Sequence, residues 1–254
     1  MKKQYNMRLI SILLSVLFVV FGTISCTSLN RDAKVVIEGC LTNVPDSLKL
    51  NLYEFAGGTA SVVATDTMVG GKFRFEVDSD IDETHRMIVS NINVALDFEF
   101  WVEKGANIEI SGEGLDLSKL NIKSNVSAQE TEKRFIEATR TEISQKYLFE
   151  TEYIPLRMKY YEVTSPEEKT LMRNRIMELQ MSMDSIDGVV VNKIKPLFET
   201  MKPDVSWLNR LVTFAQNAES EKDTSEYAML RTQYERMDEC LKSSTNGRRL
   251  ANII

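Results

Sequence analysis

Few of the side chains that most often carry chemistry occur in this sequence of 254 residues, which has three cysteines and one histidine. The cysteines, Cys26, Cys40 and Cys240, form no Cys-x-x-Cys pair, and this excludes a self-contained redox centre of the thioredoxin type. The single histidine, His85, excludes sites that need two imidazoles, among them the common zinc motifs of metalloproteases. With no glycine-rich phosphate loop, nucleophile elbow or clear carboxylate pair, the sequence predicts no catalytic residue, metal ligand or cofactor.

Cys26 stands at the end of an N-terminal segment built like a secretory signal peptide. A positive head is followed by the apolar run Leu9–Phe21, which is too short to span a bilayer, since that takes ~20 residues. The following Thr23–Cys26 resembles the lipobox of bacterial lipoproteins, with threonine where leucine is usual. This resemblance implies that residues 1–25 are a lipoprotein signal peptide and that Cys26 bears the lipid. The alternative is an ordinary signal peptide or membrane anchor with an incidental cysteine.

The charge and the expected location of the protein follow from this leader. Removing it takes away Lys2, Lys3 and Arg8, and the formal net charge of −6 becomes −9. An acidic chain lacks the basic face that a nucleic-acid binder needs. Residues 26–32 would form a short polar tether, without the acidic run that marks export to the cell surface in the lipoproteins it resembles. We therefore expect a cell-envelope protein anchored through Cys26 on the periplasmic side of a membrane, the outer membrane rather than the inner one.

The other two cysteines and the histidine are weaker candidates for a site. A disulfide between Cys40 and Cys240 is permitted in the periplasm, but nothing in the sequence brings these two residues within bonding distance. We expect both thiols to be unpaired and mostly buried. Carboxylates near His85 in Asp82–Arg86 could help it to hold a metal, although a lone histidine in a charged turn is more typical of solvated surface.

Two aromatic residues of the predicted sheet form the candidate binding face. Trp101 lies with Glu99 and Glu103 on the less apolar face of its predicted strand, because side chains two residues apart share a face. Tyr53 is expected on the same face of the sheet. An exposed platform of this kind could bind a glycan or a protein partner. The alternative is that the helical half of the chain covers it.

These candidates depend on a sheet that is predicted in residues 33–124. Apolar and polar residues alternate there with a period of two, which indicates strands with one buried and one wetter face. The clearest alternations are Leu48–Tyr53, Phe73–Val77, Phe98–Glu103 and Asn107–Ser111. The Gly-Gly pair in Val69–Lys72 predicts a tight hairpin turn. Short strands at this spacing predict an antiparallel β-sandwich or a partly open barrel.

Residues 125–254 change to a helical period. Capping-box spacing in Ser127–Glu130 and a Ser-Pro start in Ser165–Glu168 predict two helix beginnings. The second helix carries a heptad seam, which is satisfied either within the chain or between two chains. Its apolar positions are Met172, Ile176, Leu179, Met183, Ile186, Val190, Ile194, Leu197 and Met201. Met177 and Met181 lie off this seam, and we expect them to contact a third helix.

The helical segments are expected to form a hairpin or a bundle. Residues 130–162, with a kink or break at Pro155, pair antiparallel with the seam helix, and helices near 204–218 and 225–243 pack against them. The predicted fold class is therefore α+β, with an N-terminal antiparallel β-sandwich or partly open barrel followed by a C-terminal helical hairpin or bundle.

Several strand segments occur in an order that resembles a known domain. They are Val36–Gly39, Leu50–Tyr53, Thr65–Thr67, Gly71–Phe75, Phe100–Gly105 and Ile108–Gly112. In this order, behind a lipobox, they resemble a domain of unknown function in Bacteroidota lipoproteins. In many members that domain precedes a helical segment and then a thioredoxin-like (AhpC/TSA, thiol-disulfide interchange) domain. Residues 227–250 resemble the helix that ends just before the thioredoxin-like domain.

The redox chemistry of that family resides in a Trp-Cys-x-x-Cys helix start, which this sequence lacks, so the resemblance assigns no catalytic residue here. We expect a periplasm-facing lipoprotein that serves as a non-catalytic binding or interaction module. Two alternatives are left open. One is the front part of a thiol-disulfide oxidoreductase lipoprotein whose thioredoxin domain is absent, and the other is a glycan-binding accessory lipoprotein.

Overall fold

Strands occupy the first part of the described chain and helices the second. The structure is a computed structural model that describes residues 34–56, 59–78, 83–91, 93–220 and 224–254. The predicted signal peptide, Cys26 and the tether lie outside the described residues. Lys34–Ile254 forms one compact unit, so the strands and the helices belong to the same body.

The order of the elements confirms the predicted α+β fold class. The strands are β1 (Val35–Thr42), β2 (Lys49–Ala56), β3 (Thr59–Thr67), β4 (Lys72–Val77), β5 (His85–Asn91), β6 (Leu96–Val102), β7 (Asn107–Glu113) and β8 (Leu120–Ser124). The helices are α1 (Ser127–Ala138), α2 (Arg140–Tyr160), α3 (Pro166–Thr200), α4 (Val205–Ser220), α5 (Tyr227–Glu235), α6 (Glu239–Ser243) and α7 (Thr245–Ile253). Short 3-10 turns lie at Leu117–Lys119 and Thr224–Glu226.

The strands form two four-stranded sheets. The first sheet has the order β4-β1-β7-β8 and the second the order β3-β2-β5-β6. The first sheet is mixed, because β1 and β7 run parallel while the other pairs are antiparallel. A long stretch of chain separates β1 from β7, so no tight turn forces them into an antiparallel hairpin.

One face of each sheet contributes to a shared apolar core. Ile37 from the first sheet and Phe98 and Phe100 from the second are fully buried in the same cluster of side chains. Burial of each such side chain stabilises the fold by ~1.5–3 kcal/mol. Val126 and Ala128 join this cluster, so the start of α1 is packed onto the sheets.

The predicted Gly-Gly turn forms, but the strands on either side of it do not pair. Gly70 and Gly71 have φ values of 56° and 75°, and Val69 bridges to Lys72. The amide of Leu41 donates to the carbonyl oxygen of Gly71 at 2.8 Å, which draws β4 towards β1 in the first sheet, whereas β3 stays in the second. The turn therefore carries the chain between the two sheets.

Helices α2 and α3 form an antiparallel hairpin. The Oγ of Ser165 caps α3 by accepting from the amide of Glu168 at 3.3 Å, and Pro166 is the first helical residue, as predicted. Four ion pairs connect the helices, and they are Lys159–Glu168, Glu152–Arg175, Lys146–Asp187 and Glu142–Lys193. Along these pairs the residue number in α2 rises from 142 to 159 while the residue number in α3 falls from 193 to 168, as an antiparallel arrangement requires.

The heptad seam of α3 is satisfied within the chain, since Met172, Leu179 and Met183 are all buried. The prediction that Met177 and Met181 contact a third helix was wrong, because their exposed fractions are 56% and 69%. These two positions lie off the seam, on the exposed surface of α3.

Two helix boundaries differ from the prediction. The first helical segment breaks at Thr139, where the backbone leaves the helical region (φ −117°, ψ 18°), and Pro155 lies inside α2. The Oγ1 of Thr139 donates to the carbonyl of Phe135 at 2.8 Å and closes the end of α1. Ser127 is not a cap, because α1 begins on it and the preceding Val126 provides no side-chain hydrogen bond.

A second apolar cluster holds the helices together. The ring of Phe198 lies 5.7–5.8 Å from the rings of Phe135, Trp207 and Phe214. Asp204 caps α4 by accepting from the amide of Trp207 at 2.9 Å, and it also accepts from the Oγ1 of Thr131 on α1 at 2.6 Å. Within the described part of the chain, no helix is both long and apolar enough to cross a membrane.

Candidate functional site

A cleft of about 850 Å³ lies between the second sheet and the helical hairpin. Its floor is the outer face of that sheet, where β2, β5 and β6 bring side chains into rows. Tyr53 is in the same row as Glu99, and Ser90 in the next row is beside Asp97. The volume is within the ~300–1,000 Å³ that is typical of small-molecule sites.

The opposite wall of the cleft is made mostly by apolar side chains of the helices. These are Phe135 and Ile136 from α1, Ile143, Ile154 and Met158 from α2, and Met183, Ile186, Val190 and Ile194 from α3. Three tyrosines, Tyr147, Tyr153 and Tyr161, contribute rings from α2 and the turn that follows it. Some of these side chains, such as Phe135 and Met183, are also buried against neighbouring helices, so the wall is part of the helical packing. A mainly apolar lining of this kind is a feature of ligand-binding clefts.

Trp101 shares the outer face of the sheet with Tyr53, but α1 covers it. Its exposed fraction is 5%, and it is not among the residues that line the cleft. Its backbone amide donates to the Oε1 of Gln129 at 2.9 Å, and its indole Nε1–H donates to the Oε2 of Glu132 at 3.4 Å. Helix α1 therefore closes the free edge of β6 at this point. The structure thus leaves Tyr53 open to the cleft and makes Trp101 an internal contact between sheet and helix.

A buried carboxylate organises the end of the cleft near α1. Glu132 accepts from the Oγ of Ser206 at 2.8 Å and forms an ion pair with Arg210. Burial would raise the pKa of Glu132, but the Arg210 guanidinium, together with Ser206 and Trp101, holds this pKa below its usual value. Both charges of the pair are therefore kept in the folded protein. The Nε of Arg210 is buried and has no hydrogen-bond partner in the part of the chain that the structure describes.

The cleft carries more negative than positive side chains. Its carboxylates are Asp97, Glu99, Glu132, Glu142, Glu150 and Asp187, and its cations are Lys146, Arg157 and Arg210. Four of the carboxylates are in ion pairs, namely Glu99 with Arg86, Glu132 with Arg210, Glu142 with Lys193 and Asp187 with Lys146. Among the described residues, Asp97 and Glu150 have no ion-pair or hydrogen-bond partner. The floor and the wall of the cleft thus each present one uncompensated carboxylate.

The environment of Glu150 disfavours its charged form. Burial raises the pKa of Glu150, and the neighbouring carboxylates Asp97 and Asp187 raise it further, while Lys146 offsets part of this. Among the residues that line the cleft, the guanidinium of Arg157 lies 6.0 Å from the ring centre of Tyr153. Lys146 is 2.7 Å from Asp187, with which it forms an ion pair. Neither Lys146 nor Arg157 forms an ion pair with Glu150 in the described part of the chain.

The remaining residues singled out from the sequence lie away from the cleft. His85 begins β5 at an inward position and is only 8% exposed, with Nε2 3.0 Å from the Oε1 of Glu54, so the expectation of a solvated surface histidine was wrong. Cys40 and Cys240 are free and exposed, and the expectation of burial was wrong for both. Cys40 follows the inward Gly39 in β1 and therefore points outwards. No group of three or more residues that could hold a metal occurs in the described ranges.

The helical wall of the cleft was not found from the sequence. The seam of α3 predicted burial at Met183 and Ile186, but not an open space beside them. One signal was present in α2, where apolar residues occur on two sides of the helix: Ile143 and Ile154 face the cleft, and Leu148 is exposed on the other side. A helix that is apolar on two sides faces either a second partner or a ligand.

Comparisons of this chain with protein-family models, with curated proteins and with solved structures found no match. The likeness to the Bacteroidota lipoprotein domain therefore stays a prediction from the sequence.

Proposed function

We propose that the protein is a periplasm-facing lipoprotein that serves as a non-catalytic binding module, and that the cleft is its binding site. The observation that carries this proposal is the cleft itself, which combines a ligand-sized volume, a mainly apolar wall and a few polar groups on its floor. This combination is typical of pockets that bind small molecules, in which apolar side chains cover most of the ligand and a few polar groups orient it.

The arrangement of the charged groups supports binding over catalysis. Glu132, Glu142 and Asp187 each contact a cation of a neighbouring element, so they serve to hold the walls of the cleft in place. A catalytic acid or base works instead next to a nucleophile or a proton that it can reach. The proposed membrane anchor is the lipid on Cys26, which would hold the cleft near a membrane on its periplasmic side.

The two alternative functions have less support. A glycan-binding platform at Trp101 would need an exposed ring, whereas α1 covers this residue, and the tyrosines of the cleft are the aromatic rings that remain available. For thiol-disulfide exchange, Cys40 on β1 and Cys240 on α6 are both free, and neither lies in a Cys-x-x-Cys motif.

A pair of tryptophan substitutions on α2 tests the binding site. Ile154→Trp places a large side chain in the cleft, whereas Leu148→Trp makes a similar change on the opposite side of the same helix, where Leu148 is 64% exposed. A chemically diverse library of small molecules is screened by thermal shift, and hits are measured by calorimetry. We expect ligands to bind the wild type and Leu148→Trp, but not Ile154→Trp.

Two results would overturn the binding proposal. One is that no member of the library binds the wild type, and the other is that Ile154→Trp, with a native circular dichroism spectrum, binds every hit as well as the wild type does. The anchor is tested separately. Mass spectrometry of the mature wild type should find acyl groups on an N-terminal Cys26, and Cys26→Ser should lack them; a wild type without acyl groups on Cys26 would refute lipidation.

A further inference from the structure

We propose that the cleft takes an amphipathic organic cation, that is, a small molecule with one protonated amine or guanidinium on an apolar or aromatic body. This inference rests on the proposed binding function and names the chemical class of its ligand. Two features of the cleft favour this class, namely the carboxylates without an ion-pair partner among the described residues and the apolar wall that faces them.

Two carboxylates that line the cleft have no positive partner among the described residues. Asp97 on the floor and Glu150 on the wall both line it, and within the described ranges neither has a cation within ion-pair distance. The cations that line the cleft have other partners. Lys146 contacts both carboxylate oxygens of Asp187 at 2.7 and 2.8 Å, Arg210 contacts Glu132, and the guanidinium of Arg157 lies over the ring of Tyr153. A ligand cation between Asp97 and Glu150 would supply the charge that the protein does not.

The charge pattern also discriminates against other ligands. A ligand carboxylate placed between Asp97 and Glu150 would meet two groups of its own sign that have no ion-pair partner among the described residues, and like charges brought together at an interface oppose binding. A neutral ligand would leave the two carboxylates uncompensated. The partial burial of Glu150, which raises its pKa, agrees with a place where a positive neighbour would be favourable.

The rest of the cleft fits the apolar body of such a ligand. Ile143, Ile154 and Val190 present aliphatic side chains, and Tyr53 and Tyr147 present rings at the floor and the wall. Burying apolar ligand surface here would add ~25 cal/mol for each Å² removed from water. A tyrosine ring next to the ammonium group adds a cation–π contact.

Three probes that differ in one group test the charge requirement. Phenylbutylamine, phenylbutanol and phenylbutanoate share a body and carry a cation, a neutral hydroxyl and an anion near neutral pH. Calorimetry at low salt should show that the amine binds the wild type about tenfold more tightly than the alcohol, and that the carboxylate binds most weakly. Asp97 is exposed and Glu150 is half-buried, so each ion pair is partly screened by water and the two together are worth about tenfold in affinity.

Neutral isosteres locate the cation. Asp97→Asn and Glu150→Gln should each weaken binding of the amine by about fivefold and leave binding of the alcohol unchanged, since only the amine uses their charge. Glu137→Gln is the matched control, because it removes the same charge from an exposed position of α1 outside the cleft, and it should change neither affinity.

The outcomes separate this inference from the function on which it rests. If the alcohol or the carboxylate binds as tightly as the amine, or if Asp97→Asn and Glu150→Gln leave the amine affinity unchanged, the ligand class is wrong while the binding module stands. If none of the three probes binds, the ligand class is also refuted. The library screen with Ile154→Trp then decides independently whether the cleft binds anything.

Discussion

Replacing Glu132 with glutamine removes one charge from the buried junction of sheet, α1 and α4. The carboxylate accepts from Ser206 at 2.8 Å and from the indole of Trp101 at 3.4 Å, and it forms the ion pair with Arg210. Glutamine has nearly the same shape, but only one of its two terminal atoms can accept. Glu132→Gln would leave the Arg210 charge without its counter-ion and at least one donor without an acceptor.

The size of the expected loss follows from the burial of the two partners. Removing one partner of a buried ion pair costs ~3–5 kcal/mol. The side chain of Glu132 is 5% exposed, but that of Arg210 is 36% exposed, so water compensates part of the loss and the lower end of this range applies. We expect Glu132→Gln to lower the free energy of unfolding by about 3 kcal/mol, which for a unit of this size is a fall of about 6–12 °C in Tm.

The measurement is chemical denaturation followed by tryptophan fluorescence and circular dichroism. Glu130→Gln, an exposed change on the same helix, is the control and should stay within about 0.5 kcal/mol of the wild type. Adding Arg210→Met to Glu132→Gln should recover part of the loss, because the unpaired charge disappears. A loss below about 1 kcal/mol, or no recovery in the double variant, would refute the assignment of Glu132 as a charged partner of Arg210.

The pH dependence of this effect has a defined sign. The pKa of Glu132 is lower in the folded protein than its ordinary value of 4.5, so the ion pair contributes fully above that value. Its contribution is lost as the pH falls through the lowered folded-state pKa. The difference in stability between wild type and Glu132→Gln should therefore be constant near neutral pH and shrink in acid, and a difference that grows in acid would contradict the structure.

Three further predictions follow from the backbone and the thiols. Gly188→Ala should stabilise the protein by about 0.5–1 kcal/mol in denaturation experiments, since an added methyl group on α3 meets open space and alanine favours the helix; a loss of stability would contradict this. Gly71→Ala should instead destabilise it by more than about 1 kcal/mol, because φ is +75° and a Cβ would overlap the backbone of β1; an unchanged midpoint would show that the turn is built differently. Cys40 and Cys240 should both react with a water-soluble thiol reagent in the native state, as detected by mass spectrometry, and protection until unfolding would refute their exposure.

Much of the fold could be predicted from the sequence, because period and capping are local properties. The alternation in Phe98–Glu103 and the Ser-Pro start at Ser165 correspond to β6 and to the beginning of α3 in the structure. The break at Thr139 was not predicted in this way, because Pro155 is the stronger local signal in this segment.

The candidate site was predicted only in part. Tyr53 and Glu99 were placed on one sheet face from their alternation, and the strand register agrees with that placement. The sequence left two alternatives for Trp101, an exposed ring or a ring covered by the helices. Alternation shows which face of the sheet a residue is on, but not what packs against that face. Glu150 and the apolar residues of α2 were missed, because a residue that lines a space has the same local pattern as one that fills a core.

The sequence by itself determined the sheet half, the helical half and the capped start of α3, since these depend on neighbours within a few residues along the chain. Only the tertiary structure decided that α1 covers Trp101, that Glu132 meets Arg210 across 78 residues, and that Asp97 and Glu150 line one cleft with no ion-pair partner among the described residues. The physical reason is that burial and electrostatic pairing are set by which surfaces of distant segments meet, and a local pattern carries no information on that choice.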